Sequence, residues 1–316
     1  MEIREFKGGD IDRVISVWNN ALPCDPIDRK QFIHKLIAEP NFSPKGFFVA
    51  EENGKIMGFV NSVYRRVPVC AGAKINENEG WISAFAAESG ESFNKTAELL
   101  LDAAERYLLS KGKSIISTGY APVYFTQGFE ESLCPEYVRL FKTRGYRGER
   151  SCARDICLAE YVPVPKIEEK RSALEADGFY IGALKDEYVL SLLDMNELFN
   201  NAGWSVEFKS RFMDLDYERI RIAAKDGHIV GCCVFGDAES SAERFGPFGV
   251  NPDLQGRGIG TVLLNDCLSE MKKRSLHCAW MQWTPESGAA AAVYERAGFK
   301  VTKTYLTFSK DFSRRI

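Results

Sequence analysis

The sequence predicts an α/β (α+β) chain built as two copies of one plan, and three observations predict it. First, each half reads strand, two helices, a two-stranded hairpin, strand, helix, strand, helix, strand. The strands fall near 2–6, 46–52, 55–66, 80–87, 114–120 and 150–159, then near 179–184, 218–224, 228–236, 243–250, 276–284 and 299–308. Second, short segments echo one another. Trp18-Asn19-Asn20-Ala21 returns as Phe199-Asn200-Asn201-Ala202, and the run from Leu140 to Tyr146 returns as Val293 to Phe299. Third, Pro163 and Pro165 make the stretch after Tyr161 read as an extended linker. The expected division is a first domain over 1–161, a linker over 162–175 and a second domain over 176–316.

Composition sets the outer limits. A chain of 316 residues is long enough for two domains. Its 45% hydrophobic and 27% charged residues are those of an ordinary globular protein. A net charge of −3 leaves no electrostatic footprint for nucleic acid. No apolar run is long enough to span a bilayer, and the start, Met-Glu-Ile-Arg-Glu-Phe, lacks the apolar core of a signal peptide, so the expected compartment is the cytoplasm. Nine cysteines, an odd count with no Cys-x-x-Cys, read as free thiols, most of them buried. His34, His228 and His277 are too scattered to build a metal site with them, so no metal is expected.

The hairpins turn at Glu52-Asn53-Gly54 and Lys225-Asp226-Gly227, where Asn-Gly and Asp-Gly supply the positive φ angles of a tight turn. The most informative stretch follows the second hairpin. Phe245 to Val250 reads as a strand, and Pro252 ends it. A loop then carries Gly256, Gly258 and Gly260 at every second position. A helix follows with Val262, Leu263, Cys267, Leu268 and Met271 on one face and Lys272, Lys273 and Arg274 in its last turn. A glycine-rich loop that opens a helix is an anion cradle, because its N–H groups are free and no Cβ blocks the backbone. The spacing fits neither Gly-x-Gly-x-x-Gly nor a P-loop.

What remains is Gln255-x-x-Gly258-x-Gly260. It resembles the Gln/Arg-x-x-Gly-x-Gly/Ala motif of the GNAT (Gcn-related) N-acetyltransferases. Downstream, an aromatic strand from Leu276 to Thr284 leads to a helix opened by Pro285-Glu286-Ser287 and closed by Gly298. Within it, Tyr294-Glu295-Arg296-Ala297-Gly298-Phe299 looks like the family's Tyr-Glu-Lys-x-Gly-Phe segment. Two such motifs in the right order make the resemblance specific for the second half. The whole chain resembles the tandem type seen in mycothiol synthase-like proteins. Each half is then expected to be a mixed, mostly antiparallel central sheet flanked by helices.

The resemblance implies acetyl transfer from acetyl-CoA, as acyl donor, to a primary amine of a small-molecule or peptide acceptor, carried out by the second half. It places the coenzyme against Phe248, Gly249, Val250, Gln255, Gly256, Arg257, Gly258, Ile259, Gly260 and Thr261. Ser287 stands where the family often has an asparagine. The N–H of Val250 is the expected donor to the thioester oxygen, and Tyr294 the acid for the leaving thiolate. Glu243 is the expected base, with Asp237 and Glu239 as alternatives. Trp280 or Trp283 is expected to line the acceptor groove. A non-catalytic acetyl-CoA sensor or scaffold is the alternative function, disfavoured because a sensor has no need of a proton donor. In the first half, Leu99-Leu100 aligns with Leu263-Leu264, which sets Glu91, Asn94 and Thr96 at Gln255, Gly258 and Gly260. The glycines are lost, Phe141 replaces the tyrosine, and a degenerate copy is expected.

Overall fold

The computed structural model describes residues 1–68, 75–120, 128–199, 204, 216–236 and 241–313, with the side chains of 195–199 left out. The chain divides into two units, Met1–Arg150 with Thr304–Ile316, and Ser151–Lys303.

The first unit contains β1 (Glu2–Glu5), α1 (Ile11–Ala21), α2 (Arg29–Phe32), β2 (Phe47–Glu52), β3 (Lys55–Val63), β4 (Glu79–Ala87), α3 (Phe93–Ser110), β5 (Ile115–Thr118), β6 (Phe129–Glu130), α4 (Pro135–Thr143) and the start of β7 (Arg147–Cys157). β1 to β4 pair antiparallel in chain order, and β4 pairs parallel with β5. Asn53 and Gly54 both take positive φ, as the expected hairpin turn requires. The core gathers Trp18, Phe32, Phe47, Phe59 and Phe141, all fully buried.

The second unit contains α5 (Ile167–Ala176), β8 (Tyr180–Ala183), α6 (Val189–Phe199), β9 (Ile220–Lys225), β10 (His228–Phe235), β11 (Phe245–Val250), α7 (Ile259–Lys273), β12 (Cys278–Thr284), α8 (Ala289–Ala297) and the start of β13 (Lys300–Asp311). β8, β9, β10 and β11 form an antiparallel four-stranded sheet with β11 at its edge. β12 instead pairs antiparallel with β7. The apolar face expected on α7 is fully buried. Burying one such leucine contributes about 1.5–3 kcal/mol, so this face fixes the helix against β10 and β11.

Two expectations about organisation are corrected. The halves do not each keep their last strand. Residues 152–157 of β7 pair with β12 of the second half, while Ser309–Asp311 of β13 pair with β5 of the first. The unit boundaries therefore fall inside β7 and β13, not near residues 161 and 176. Strand partnership is non-local, and nothing in the alternation of β7 or β13 names the partner. The segment 162–175 is also not an extended linker, because α5 occupies Ile167–Ala176. The prolines end before it, Glu168 and Glu169 sit at its positive end, and Ile167 and Leu174 are buried. Asn265 of α7 holds the approach to this helix. Its Oδ1 accepts from the Tyr161 hydroxyl at 2.8 Å and the Val164 N–H at 3.0 Å. Arg171 of α5 pairs with Asp266, which also binds Arg221. Most of the echo at 199–202 lies outside the described residues. Among the described residues, no helix is long and apolar enough to cross a membrane.

Candidate active site

The site begins with two strands that meet at one end and part. The Trp280 N–H of β12 donates to the Glu243 carbonyl at 3.1 Å, and Arg244 bridges Trp280 in parallel. Beyond that point β11 follows β10 and β12 follows β7. Register fixes where the free backbone of β11 points. Asn251 N–H donates to Val230 O at 2.8 Å, and Val250 stands opposite Gly231. Val250 therefore occupies a non-hydrogen-bonded pair, and its N–H and C=O face away from β10. That edge is covered by no described strand. Gln255 Nε2 reaches the Val250 carbonyl at 3.4 Å, which leaves the N–H as the group facing the wedge. Gly249 faces Cys232 across the ladder, and Phe248 is half-buried.

The glycine loop closes one end of this wedge. Gly256 and Gly258 have φ of +81° and +85°, so both need a residue without Cβ. A Cβ on either would meet nothing within 4 Å, so the space before this backbone is open. Gly260 is different: a Cβ there would lie 3.4 Å from Val250 and 3.5 Å from Phe248. Ile259 is buried and contributes only its backbone, while Thr261 is half-buried. In the first turn of α7 the N–H groups have no intrahelical partner. The loop thus fits a pyrophosphate by its own chemistry. Arg257 points elsewhere. It binds Asp177 at 2.5 Å and lies 5.4 Å over the Phe179 ring, beside Lys225, which reaches the same carboxylate at 3.2 Å. The bond from Lys225, then Arg257, holds the Asp177 carboxyl below its usual range.

Tyr294 enters from α8, whose ends are set by Gly288 and the left-handed Gly298. Its ring packs against Phe248 at 5.8 Å, Phe299 at 5.9 Å and Phe245 at 6.5 Å. Burial, with a lesser push from Cys233, raises the phenol above its ordinary value, so the proton stays on until a stronger base develops beside it. Ser287 is exposed in the turn before α8. The helix begins at Ala289 rather than at Pro285 as expected, because Gly288, with φ +103°, breaks the chain direction there.

Glu243 is committed to another task. Its Oε1 accepts from the N–H groups of His277 at 2.8 Å and Cys278 at 3.3 Å, and its Oε2 accepts from the Cys278 thiol at 3.1 Å. Burial alone would raise its pKa, but these bonds bring it below the usual carboxylate range. A carboxylate stabilised in this way is a poor base, and its oxygens clamp the start of β12 to β11. Burial and Glu243 together push the Cys278 thiol up to about 12. Asp237 and Glu239 lie outside the described residues. Trp280 is half-buried, with its Nε1 3.4 Å from Ser241 Oγ. Trp283 is exposed and has a positive φ, within the irregularity between Met281 and Thr284.

Sequence reasoning missed Arg154. This fully buried β7 residue donates to Thr284 Oγ1 at 2.6 Å, Pro285 O at 2.7 Å and Glu286 O at 3.3 Å, and pairs with Glu295 at 3.5 Å. It ties the β12–α8 turn, and with it Tyr294, to a strand from the other half of the sequence. No local pattern announces it. One signal was available: Pro247 inside β11 marks that strand as an edge. A cavity of about 350 Å³ lies at the opposite end of α8, lined among others by Asp155, Cys157, Glu160, Arg296 and Lys300, and it includes none of the glycine-loop residues.

An open strand edge lies beside a glycine loop and a buried tyrosine, on the residues of the two motifs. Residues 216–301 match the model of the acetyltransferase (GNAT) domain. The matched stretch lies within the second half and covers less than a third of the chain. A mycothiol acetyltransferase from Streptomyces coelicolor is 32% identical over 93 residues, covering 28% of this chain and 29% of that protein. This chain thus spans under a third of the length of that curated relative. Among solved structures, a GCN5-related glucosamine N-acetyltransferase region of a fungal multi-domain protein superposes with a TM-score of 0.77, at 18% identity, over 98% of this chain and 38% of that one. A tandem GNAT protein from the clavulanic acid pathway superposes with a TM-score of 0.66, at 13% identity, over 100% and 99%. These likenesses show the fold: tandem GNAT architecture of mixed, mostly antiparallel sheets flanked by helices.

Proposed function

We propose that the second unit transfers an acetyl group from acetyl-CoA to a primary amine of a small molecule or peptide. The observation that carries this reading is the Val250 N–H, directed into the wedge between the glycine loop and Tyr294. Bound acetyl-CoA would supply the activated acetyl group as a thioester. The loop N–H groups from Gly256 to Thr261 hold its pyrophosphate, with the helix dipole behind them. The Val250 N–H donates to the carbonyl oxygen as negative charge grows there. Tyr294 gives its proton to the departing sulfur. Glu243 acts as a positioning residue that keeps β12 against β11, and the proton of the attacking amine leaves to water or to another group. The first unit is proposed to hold no coenzyme and to support the second. No described cysteine is in a disulfide, which fits a cytoplasmic protein.

The test is release of free thiol from acetyl-CoA across a panel of amines: glucosamine, aminoglycosides, polyamines and peptide N-termini. Release that needs both the chain and an acceptor supports the reading. Tight acetyl-CoA binding with no release from any amine would favour the sensor.

A further inference from the structure

Two of the free thiols stand opposite each other. Cys157 of β7 and Cys278 of β12 are direct partners in the antiparallel register. Leu158 N–H donates to His277 O at 2.9 Å, so the neighbouring pair is the hydrogen-bonded one. On the other side the Cys278 and Trp280 N–H groups both point to Glu243 and not to β7. Both observations make Cys157 and Cys278 a non-hydrogen-bonded pair, with Cα atoms about 4.5 Å apart and side chains on one face. That separation lies within the roughly 4.4–6.8 Å a disulfide spans. Cys157 is exposed and lines the 350 Å³ cavity, while Cys278 is half-buried and bonded to Glu243.

We propose that Cys157 and Cys278 form a reversible cross-strand disulfide when the protein meets a peroxide. The Cys157 sulfur attacks the peroxide O–O bond, an S–O bond forms, and one oxygen leaves as water. The Cys278 sulfur then attacks the oxidised sulfur of Cys157. The S–S bond forms and the S–O bond breaks; the Cys278 proton passes first to Glu243, then to the departing hydroxide, which leaves as the second water. Two thiols are oxidised and one peroxide is reduced to two waters. A disulfide sulfur carries no hydrogen, so the Cys278 bond to Glu243 is lost and the clamp at the base of the wedge loosens. An exposed disulfide of this kind is readily reduced, which suits a switch in a reducing compartment.

The cross-link is independent of acetyl transfer, although any effect on turnover rests on that reading. The experiment uses the intact chain, hydrogen peroxide and mapping of tryptic peptides without reduction. Cleavage after Arg154, Lys166, Arg274 and Arg296 puts Cys157 and Cys278 on separate peptides, each with a single cysteine. The expected product is those two peptides joined, two hydrogen masses lighter than their sum, and restored to free thiols by dithiothreitol. Cys157→Ser should abolish it. Over-oxidised Cys157 beside a free Cys278 thiol, or a cross-link to any other cysteine, would overturn the proposal.

Discussion

In both units a strand runs to the start of a long helix beside a parallel neighbour, and the units differ in what meets its end. In the first unit β5 follows β4 only from Glu79 to Ile82. Beyond, the Tyr137 hydroxyl donates to Ala87 O and accepts from Ala87 N–H, both at 2.9 Å. Its ring stacks on Phe129 at 4.7 Å and meets Phe93 edge-on at 5.0 Å. Ala87 stands opposite Gly58, with Glu88 N–H on Met57 O at 2.8 Å, the same register that sets Val250 opposite Gly231, and Tyr137 aligns with Ala290, a small exposed residue. One tyrosine thus satisfies the backbone that the second unit leaves facing its wedge. Thr96, at the position of Gly260, is fully buried, and the nearby cavity lined by Phe85 and Phe129 measures only about 10 Å³. Two copies of one fold can therefore differ in ligand capacity through a few side chains that fill or spare a strand end.

The contrast can be broken most forcefully at the loop. Gly258→Glu places a Cβ at φ +85° and a negative charge beside the expected phosphates. Turnover should vanish, while stability in a urea titration falls only by the left-handed penalty of about 1–2 kcal/mol. Retained turnover would mean that the loop holds no coenzyme. Tyr294→Phe should lower kcat on the order of 100-fold with little change in KM for acetyl-CoA. A loss under about threefold, with chemistry rate-limiting, would remove the acid role.

The matching change in the other unit should act on stability alone. Tyr137→Phe leaves the Ala87 N–H and C=O without their partner and should cost about 1–3 kcal/mol in a urea titration. Its kcat should stay at the parent value. The smallest effect is expected from Glu243→Gln. Glu243 has a lowered pKa in the folded chain, so its stabilisation is present above the ordinary carboxylate pKa and disappears as pH falls through the lowered value. The variant should lose that acid-limb dependence of stability and keep the pH profile of kcat. A kcat profile that shifts so that activity recovers at high pH would restore Glu243 as the base.

Much of this was legible because it is local. The glycine loop, the α7 face and both hairpin turns follow from residue types at fixed spacings, and all stand where expected. The exchange of β7 and β13 was not legible, because either strand pairs equally well by pattern with either half. Arg154 was hidden for that reason: it serves a site encoded mostly some 130 residues downstream. Glu243 was chosen from its place on the strand leading to the loop, and the sequence does not show that its oxygens meet N–H groups of a strand over thirty residues away. Tyr137 carries its meaning only once its hydroxyl is seen on Ala87.

The central claim is that the chain holds one coenzyme site, in the second unit. Calorimetric titration of the intact chain with acetyl-CoA tests it most directly. One equivalent should bind, and the Gly258→Glu chain should bind none. Two equivalent sites, or a single site that survives Gly258→Glu, would contradict it.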